Sequence, residues 1–85
     1  MSLTTDEIRE ALIDSILAVA PEADFDTVRP DRPVRDQVDI DSFDFLTILE
    51  NLHEKLGVNV PEADYGKMIT LDGSVAYLAQ RLAAA

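Results

Sequence analysis

Ser42 stands close to three aspartates, Asp39, Asp41 and Asp44, in the stretch DIDSFDF. Aspartate and serine commonly cap helices, because their side-chain oxygens accept hydrogen bonds from unpaired backbone N–H groups. An exposed serine hydroxyl can also carry a group through a phosphodiester, and a helix N-terminus tolerates that negative charge. With Asp41 as the cap and Ser42 as the first helical residue, the stretch is either a simple cap or an attachment point.

Three parts of the chain have the apolar periodicity of amphipathic helices. The first helix is predicted over residues 5–20, because Thr4 and Glu7 have capping-box spacing and Pro21 ends the pattern. The last is predicted to begin after a Thr70 cap, with Gly73 weakening it by about 1 kcal/mol relative to alanine. The predicted inward-facing residues are Ile8, Leu12, Ile16 and Val19 in the first helix and Leu71, Val75, Leu78 and Leu82 in the last.

The second helix is predicted over residues 42–56, with Gly57 as its C-terminal cap. A short helix is predicted over residues 61–65, because proline suits its first position and Gly66 follows its last. The inward stripe of the second helix is predicted to comprise Leu46, Leu49, Leu52 and Leu56, flanked by Phe45 and Ile48.

Residues 21–40 are predicted to form a long loop containing a short helical turn. No segment alternates with a two-residue period, so no sheet is predicted. The predicted fold is all-α: residues 1–85 form one domain, a small four-helix bundle of three main helices and one short helix, with a long loop between the first two. The loop is expected to be pinned to the core by Phe25, Val28, Val34, Val38 and Ile40.

Charge and composition narrow the possible functions. With 17 acidic and 7 basic residues, the 85-residue chain has a net charge of −10. This charge argues against binding to nucleic acid or to an anionic membrane and favours encounter with basic proteins. The chain has no cysteine, which excludes disulfides and thiolate metal sites. No signal peptide or membrane span is found, so a cytoplasmic location is expected. The protein is also expected to be a monomer.

The acidic stretch is a poor match to a metal site. Asp39, Asp41 and Glu50 have the spacing of three positions of a calcium-binding loop. However, Phe43 replaces a ligand of that loop, and Asp44 replaces the glycine at its sharp turn. No metal is therefore predicted.

No catalytic set can be assembled around Ser42 either. A hydrolase would need a base beside the hydroxyl and a third group to orient that base. The single histidine, His53, lies eleven residues later in the same predicted helix, about 16 Å along its axis. The protein is therefore predicted not to be an enzyme, and a zinc site at His53 lacks further ligands.

The order of these elements resembles an acyl carrier protein of the phosphopantetheine-binding family. The similarity runs from Thr4 to Leu82. It is carried by Asp41-Ser42 at the head of an acidic helix, the spacing to Gly57, the stretch VPEADYGKMITL at 60–71, and the final helix.

The resemblance implies that Ser42 receives 4′-phosphopantetheine from coenzyme A, through a phosphopantetheinyl transferase and magnesium, and that Asp41 is the acid preceding the modified serine. The arm's thiol would hold an acyl group as a thioester for enzymes of fatty-acid, polyketide or related specialised biosynthesis. Those enzymes are expected to dock through basic surfaces on the second helix, and the bundle is expected to shelter part of the acyl chain.

The residues expected to contact partner enzymes are Asp39, Phe43, Asp44, Phe45, Glu50 and Glu54. Two of them depart from the family pattern, since Phe43 replaces a leucine and Asp39 replaces a glycine. Thr47, His53 and Lys55 also reduce the number of acids on this helix, so a specialised carrier is expected. For Phe45, an ordinary core position is the alternative.

Two further interpretations remain open. One is an acidic helical adaptor that binds a basic partner without covalent modification. The other is a carrier of peptidyl or aminoacyl groups.

Overall fold

The computed structural model describes residues 3–84, which fold into an all-α bundle with no strand in that range. The predicted fold class is confirmed. An antiparallel bridge pairs Pro33 with Thr70 and ties the long loop to the start of the last helix. The three long helices are α1 (Thr5–Val19), α2 (Ser42–Leu56) and α3 (Leu71–Ala84), and two 3₁₀ segments span Val34–Asp36 and Glu62–Lys67.

Helix α1 begins at a reciprocal pair of hydrogen bonds. The Glu7 backbone N–H donates to Thr4 Oγ1 at 3.1 Å, and the Thr4 N–H donates to Glu7 Oε1 at 2.9 Å. These bonds satisfy two of the backbone donors that a helix start leaves free. The predicted cap is confirmed, and the helix ends one residue before the predicted boundary, with Ala20 as its C-cap.

Helix α2 faces the core with a different stripe from the predicted one. Ile48, Leu49 and Leu52 are buried, whereas Leu46 is 48% exposed. Each three-residue step along a helix falls about 60° short of a full turn, so leucines at this spacing drift around the axis. Packing against α1 selects the face of α2 that is centred on Leu52, and Leu46 lies well outside that face. Phe45, which was predicted to flank the stripe, is half-buried.

The long loop is pinned to the core as predicted. Val34, Val38 and Ile40 are buried, and Phe25 and Val28 pack against the core from outside. The predicted turn within the loop is the 3₁₀ segment Val34–Asp36. The loop is also held by hydrogen bonds to the far end of the chain: the Val34 N–H donates to the Ile69 carbonyl at 2.9 Å, and the Asp72 N–H to the Pro30 carbonyl at 3.0 Å.

The short element before α3 differs from the prediction. It is a 3₁₀ helix over Glu62–Lys67; Pro61 precedes it, and Gly66 lies within it. Gly66 does not terminate the element because its φ is not positive. By contrast, Gly57 has φ +72° and ends α2 in the left-handed conformation, as predicted.

The start of α3 gives Gly73 a structural role. Thr70 Oγ1 accepts a hydrogen bond from the Gly73 N–H at 2.9 Å, which confirms the predicted cap. A Cβ at position 73 would lie 2.9 Å from the same oxygen. The glycine therefore leaves room for the capping hydroxyl, and this contact offsets its low helix propensity.

Candidate functional site

The start of α2 is closed by two carboxylates. Asp41 is the N-cap, and its Oδ1 accepts a hydrogen bond from the Asp44 backbone N–H at 2.8 Å. Asp44 Oδ2 accepts from the Asp41 N–H at 3.1 Å, which completes a capping box. The cap at Asp41 was predicted. The reciprocal role of Asp44 was missed, although its three-residue spacing from Asp41 indicates such a box.

Ser42 is the first residue of α2 and its side chain is exposed, as predicted. The side-chain hydrogen bonds at this helix end run between Asp41 and Asp44, and none within residues 3–84 involves Ser42 Oγ. The hydroxyl is therefore accessible from solvent. A phosphate ester on this oxygen would lie at a helix N-terminus, where the helix dipole favours negative charge.

An apolar cleft of about 480 Å³ opens beside Ser42. It runs between the helices and the two inter-helix segments, and its wall is mainly hydrocarbon. Such a cleft suits an apolar ligand. Its lining includes Leu12, Ile16, Val34, Ile40, Ile48 and Met68.

Phe45 and Tyr65 form one edge of this cleft. Their ring centroids are 5.2 Å apart and the ring planes meet at 82°, the edge-to-face arrangement that aromatic pairs favour. Both side chains are half-buried. The structure therefore places Phe45 in contact with the core and along the cleft, while leaving part of the ring accessible.

The 3₁₀ helix that carries Tyr65 is fixed to α3 by a short hydrogen bond. The Tyr77 hydroxyl donates to Asp64 Oδ2 at 2.6 Å, and Lys67 Nζ lies 3.7 Å from Asp64 Oδ1. The bond from Tyr77 lowers the pKa of Asp64. Burial, followed by the hydrogen bond to Asp64, raises the pKa of Tyr77. The buried Tyr77 was not identified from the sequence.

The other residues predicted to contact partners lie on the surface around Ser42 and along α2. Asp39, Glu50 and Glu54 are exposed, Phe43 is 80% exposed, and Asp44 is half-buried within the capping box. Two apolar side chains on this surface are about half-exposed and also line the cleft: Leu46, which was predicted to face the core, and Ile69, which the sequence did not single out. The surface around the candidate site is therefore both acidic and apolar.

The described part of the chain shows no grouping of three or more histidine or acidic side chains that could hold a metal ion. None of the helices found between residues 3 and 84 is long and apolar enough to cross a membrane. Ser42 and His53 lie at the first and twelfth positions of α2, so both belong to one straight element. An exposed hydroxyl at a helix start, beside an apolar cleft, is an arrangement that suits a binding or carrier domain.

Comparison with known proteins identifies the family. Over 68 residues, 80% of this chain and 79% of the relative, the chain is 34% identical to an acyl carrier protein of Renibacterium salmoninarum. It is 31% identical over 81 residues to one from Acidothermus cellulolyticus, covering 93% of each chain. It is also 33% identical over 78 residues to the acyl carrier protein AcpXL of Mesorhizobium japonicum, covering 85% of this chain and 78% of that protein.

The chain therefore belongs to the acyl carrier protein family and carries acyl groups without catalysing their chemistry. No family model and no solved structure matches the chain. The predicted resemblance, the carrier function and the prediction that the protein is not an enzyme are confirmed.

Proposed function

We propose that Ser42 Oγ is the attachment point for 4′-phosphopantetheine and that the loaded protein presents an acyl thioester to biosynthetic enzymes. The observation that carries this proposal is the exposed Ser42 hydroxyl, free of hydrogen bonds to residues 3–84, at the first position of α2 and beside the cleft. When bound, the arm supplies the terminal thiol that the cysteine-free chain lacks.

The attachment step requires little of this chain. The serine oxygen bonds to the phosphorus that bears the pantetheine, the pyrophosphate bond of coenzyme A breaks, and the adenosine bisphosphate half leaves. A base on the transferase takes the hydroxyl proton. The capping box formed by Asp41 and Asp44 holds the first turn of α2 in place, and the helix N-terminus favours the phosphate charge.

The cleft supports an acyl cargo over an aminoacyl one. Its wall is predominantly apolar, and burying hydrocarbon against it is favourable by about 25 cal/mol per Å² of area removed from water. A charged ammonium group would instead lose hydration without gaining a charged partner on this wall.

Partner enzymes are proposed to dock on the α2 surface around Ser42. Exposed Asp39, Glu50 and Glu54 favour encounter with basic surfaces, and the 80% exposed Phe43 offers an apolar contact next to the attachment point. Asp44 contributes negative charge from within the capping box, and Phe45 contributes the accessible part of its ring. The proposed partners are a phosphopantetheinyl transferase and acyl-transferring or synthase enzymes.

The test is the intact mass of the protein after incubation with coenzyme A and a broad-specificity phosphopantetheinyl transferase. The wild type is expected to gain one phosphopantetheine, and Ser42→Ala none. Absence of a gain in the wild type, or a gain that persists in Ser42→Ala, contradicts the proposal.

A further inference from the structure

A second serine lines the apolar cleft and is buried. Ser74, on α3, is 3% exposed and lines the same cleft as Ser42. Ser42 is exposed at the start of α2, so one cleft is lined by an exposed and a buried hydroxyl-bearing residue. The wall of this cleft is otherwise mostly hydrocarbon, with Leu12 and Ile16 contributed by α1 and Ile48 by α2.

The hydroxyl of Ser74 is not used by the fold as that of Ser15 is. Ser15, fully buried on α1, donates from its Oγ to the Ala11 carbonyl at 2.8 Å. No hydrogen bond within residues 3–84 involves Ser74 Oγ, yet no fully buried side-chain nitrogen or oxygen in that range lacks a partner. The Ser74 oxygen is therefore not fully sealed inside the core, and the cleft is the space that its residue lines.

An open hydroxyl on an apolar wall favours a particular kind of ligand. A plain hydrocarbon chain that filled the cleft would displace water from Ser74 and leave its hydroxyl without a partner, which is unfavourable. A chain bearing an oxygen at the matching depth would restore the hydrogen bond. Because serine both donates and accepts, that oxygen can belong to a hydroxyl or to a keto group.

We propose that Ser74 is a specificity-determining residue that binds an oxygen substituent on the cargo, so that the cleft is built for hydroxyacyl or ketoacyl chains. This inference rests on the proposed loading of Ser42 and names the class of cargo carried there. Position 74 lies three residues after Leu71 and four before Leu78, on the buried face of α3, so the helix places this serine on the side that faces the cleft.

The experiment is a double-mutant-type cycle in which both the loaded chain and the residue at position 74 are varied. The wild type and Ser74→Ala are loaded through Ser42 with octanoyl, with positional isomers of hydroxyoctanoyl, or with the matching keto chains. The melting temperature of each loaded protein is then measured. Ser15→Ala serves as the matched control, because it removes a buried hydroxyl that is already bonded within its own helix.

In the wild type, at least one oxygenated isomer is expected to raise the melting temperature above that of the octanoyl form by about 4–8 °C, the shift that one hydrogen bond gives in a domain of this size. That difference should disappear or reverse in Ser74→Ala and persist in Ser15→Ala. The proposal is overturned if every oxygenated chain stabilises the wild type no more than octanoyl, or if the difference survives in Ser74→Ala.

The intact mass of the protein distinguishes a failure of the proposal for Ser74 from a failure of the proposed attachment at Ser42. Loading without an oxygen preference overturns the role of Ser74 alone. No loading of the wild type overturns both proposals.

Discussion

Two helix starts in this protein have nearly the same local construction. The segments Thr4–Glu7 and Asp41–Asp44 each form a capping box, with hydrogen bonds of 3.1 and 2.9 Å in the first and 2.8 and 3.1 Å in the second. Each also has an exposed hydroxyl at the first helical position, Thr5 in α1 and Ser42 in α2. The local backbone geometry therefore does not distinguish a purely structural helix end from the proposed attachment site.

The difference lies in the surroundings of the two hydroxyls. Ser42 lines the apolar cleft, whereas Thr5 is not part of its wall. The next residue along is the 80% exposed Phe43 in α2 and the acidic Asp6 in α1. A capping box thus exposes the hydroxyl of the first helical residue at both helix starts. Whether that hydroxyl can serve as an attachment point depends on the cleft and the surface beside it.

The largest effect is expected from an attempt to move the hydroxyl from one helix start to the other. In the double variant Thr5→Ser/Ser42→Ala, the start of α1 has a serine in the same capped position that Ser42 occupies in α2. We expect complete loss of phosphopantetheine addition, measured by intact mass, because the transferred serine lacks the cleft and the α2 surface.

The matched control is Thr5→Ser alone, which should gain one group, as the wild type does. Modification of the double variant at position 5 would show that a capped serine is sufficient for loading and that neither the cleft nor the α2 surface is needed.

The second prediction concerns the caps themselves. Thr4→Ala and Asp41→Ala should each reduce the free energy of unfolding by about 1 kcal/mol, because each leaves backbone donors of a helix start unpaired. Denaturant unfolding measures both losses. Only Asp41→Ala should also slow phosphopantetheine addition, since it loosens the turn that holds Ser42.

An equal slowing of addition in Thr4→Ala would contradict this separation. It would mean that cap loss acts through general destabilisation of the bundle and not through the first turn of α2.

These helix starts were predictable because capping depends on residues three apart in sequence. Thr4, Asp41 and Thr70 cap the predicted helices, and the left-handed Gly57 ends α2 as expected. The fold class and the family could be predicted for the same reason. Both follow from the order of the helices and loops, and each helix is recognisable from its own stretch of sequence.

No local sequence pattern predicts the cleft, although the family resemblance implied that the bundle shelters part of an acyl chain. Its wall combines α1, the long loop, α2, the 3₁₀ helix and α3, and no local pattern specifies how these close around a space. The outward position of Leu46 depends on how α2 rolls against α1, which periodicity leaves free by several tens of degrees. Ser74 was overlooked as a polar residue, although its spacing from Leu71 and Leu78 places it on the buried face.

The third prediction tests the charges on the two helices. Asp44, Glu50 and Glu54 are proposed to speed encounter with basic partner enzymes, so the association rate should fall as ionic strength rises. The variant Glu50→Gln/Glu54→Gln should associate more slowly at low salt and show a weaker salt dependence. Stopped-flow measurement with a phosphopantetheinyl transferase provides both rates.

The control removes two exposed acids from α1, as Asp6→Asn/Glu10→Gln, with the same change in net charge. If this variant slows association as much as the α2 variant, total charge governs encounter and the α2 surface has no special role.

The smallest effect on stability is expected from the charge of the Glu7 carboxylate in the capping box of α1. Hydrogen bonds from Thr4, the backbone N–H first and then the side chain, lower the pKa of Glu7 below its ordinary value of 4.5. A lowered pKa in the folded state means that the ionised carboxylate stabilises the protein above that value, and that this contribution is lost as pH falls through the lowered pKa. The variant Glu7→Gln can keep the capping-box geometry but cannot titrate.

The free energy of unfolding should therefore differ most between wild type and Glu7→Gln at neutral pH, and the gap should shrink as pH falls below about 4.5. In the Thr4→Ala background, the same substitution should produce a smaller change with pH, because the side-chain bond is lost and only the backbone N–H still faces the carboxylate. Denaturant unfolding across this range measures the gap. A gap that stays constant or widens on acidification would show that Glu7 contributes to the start of α1 without its charge, as a neutral acceptor.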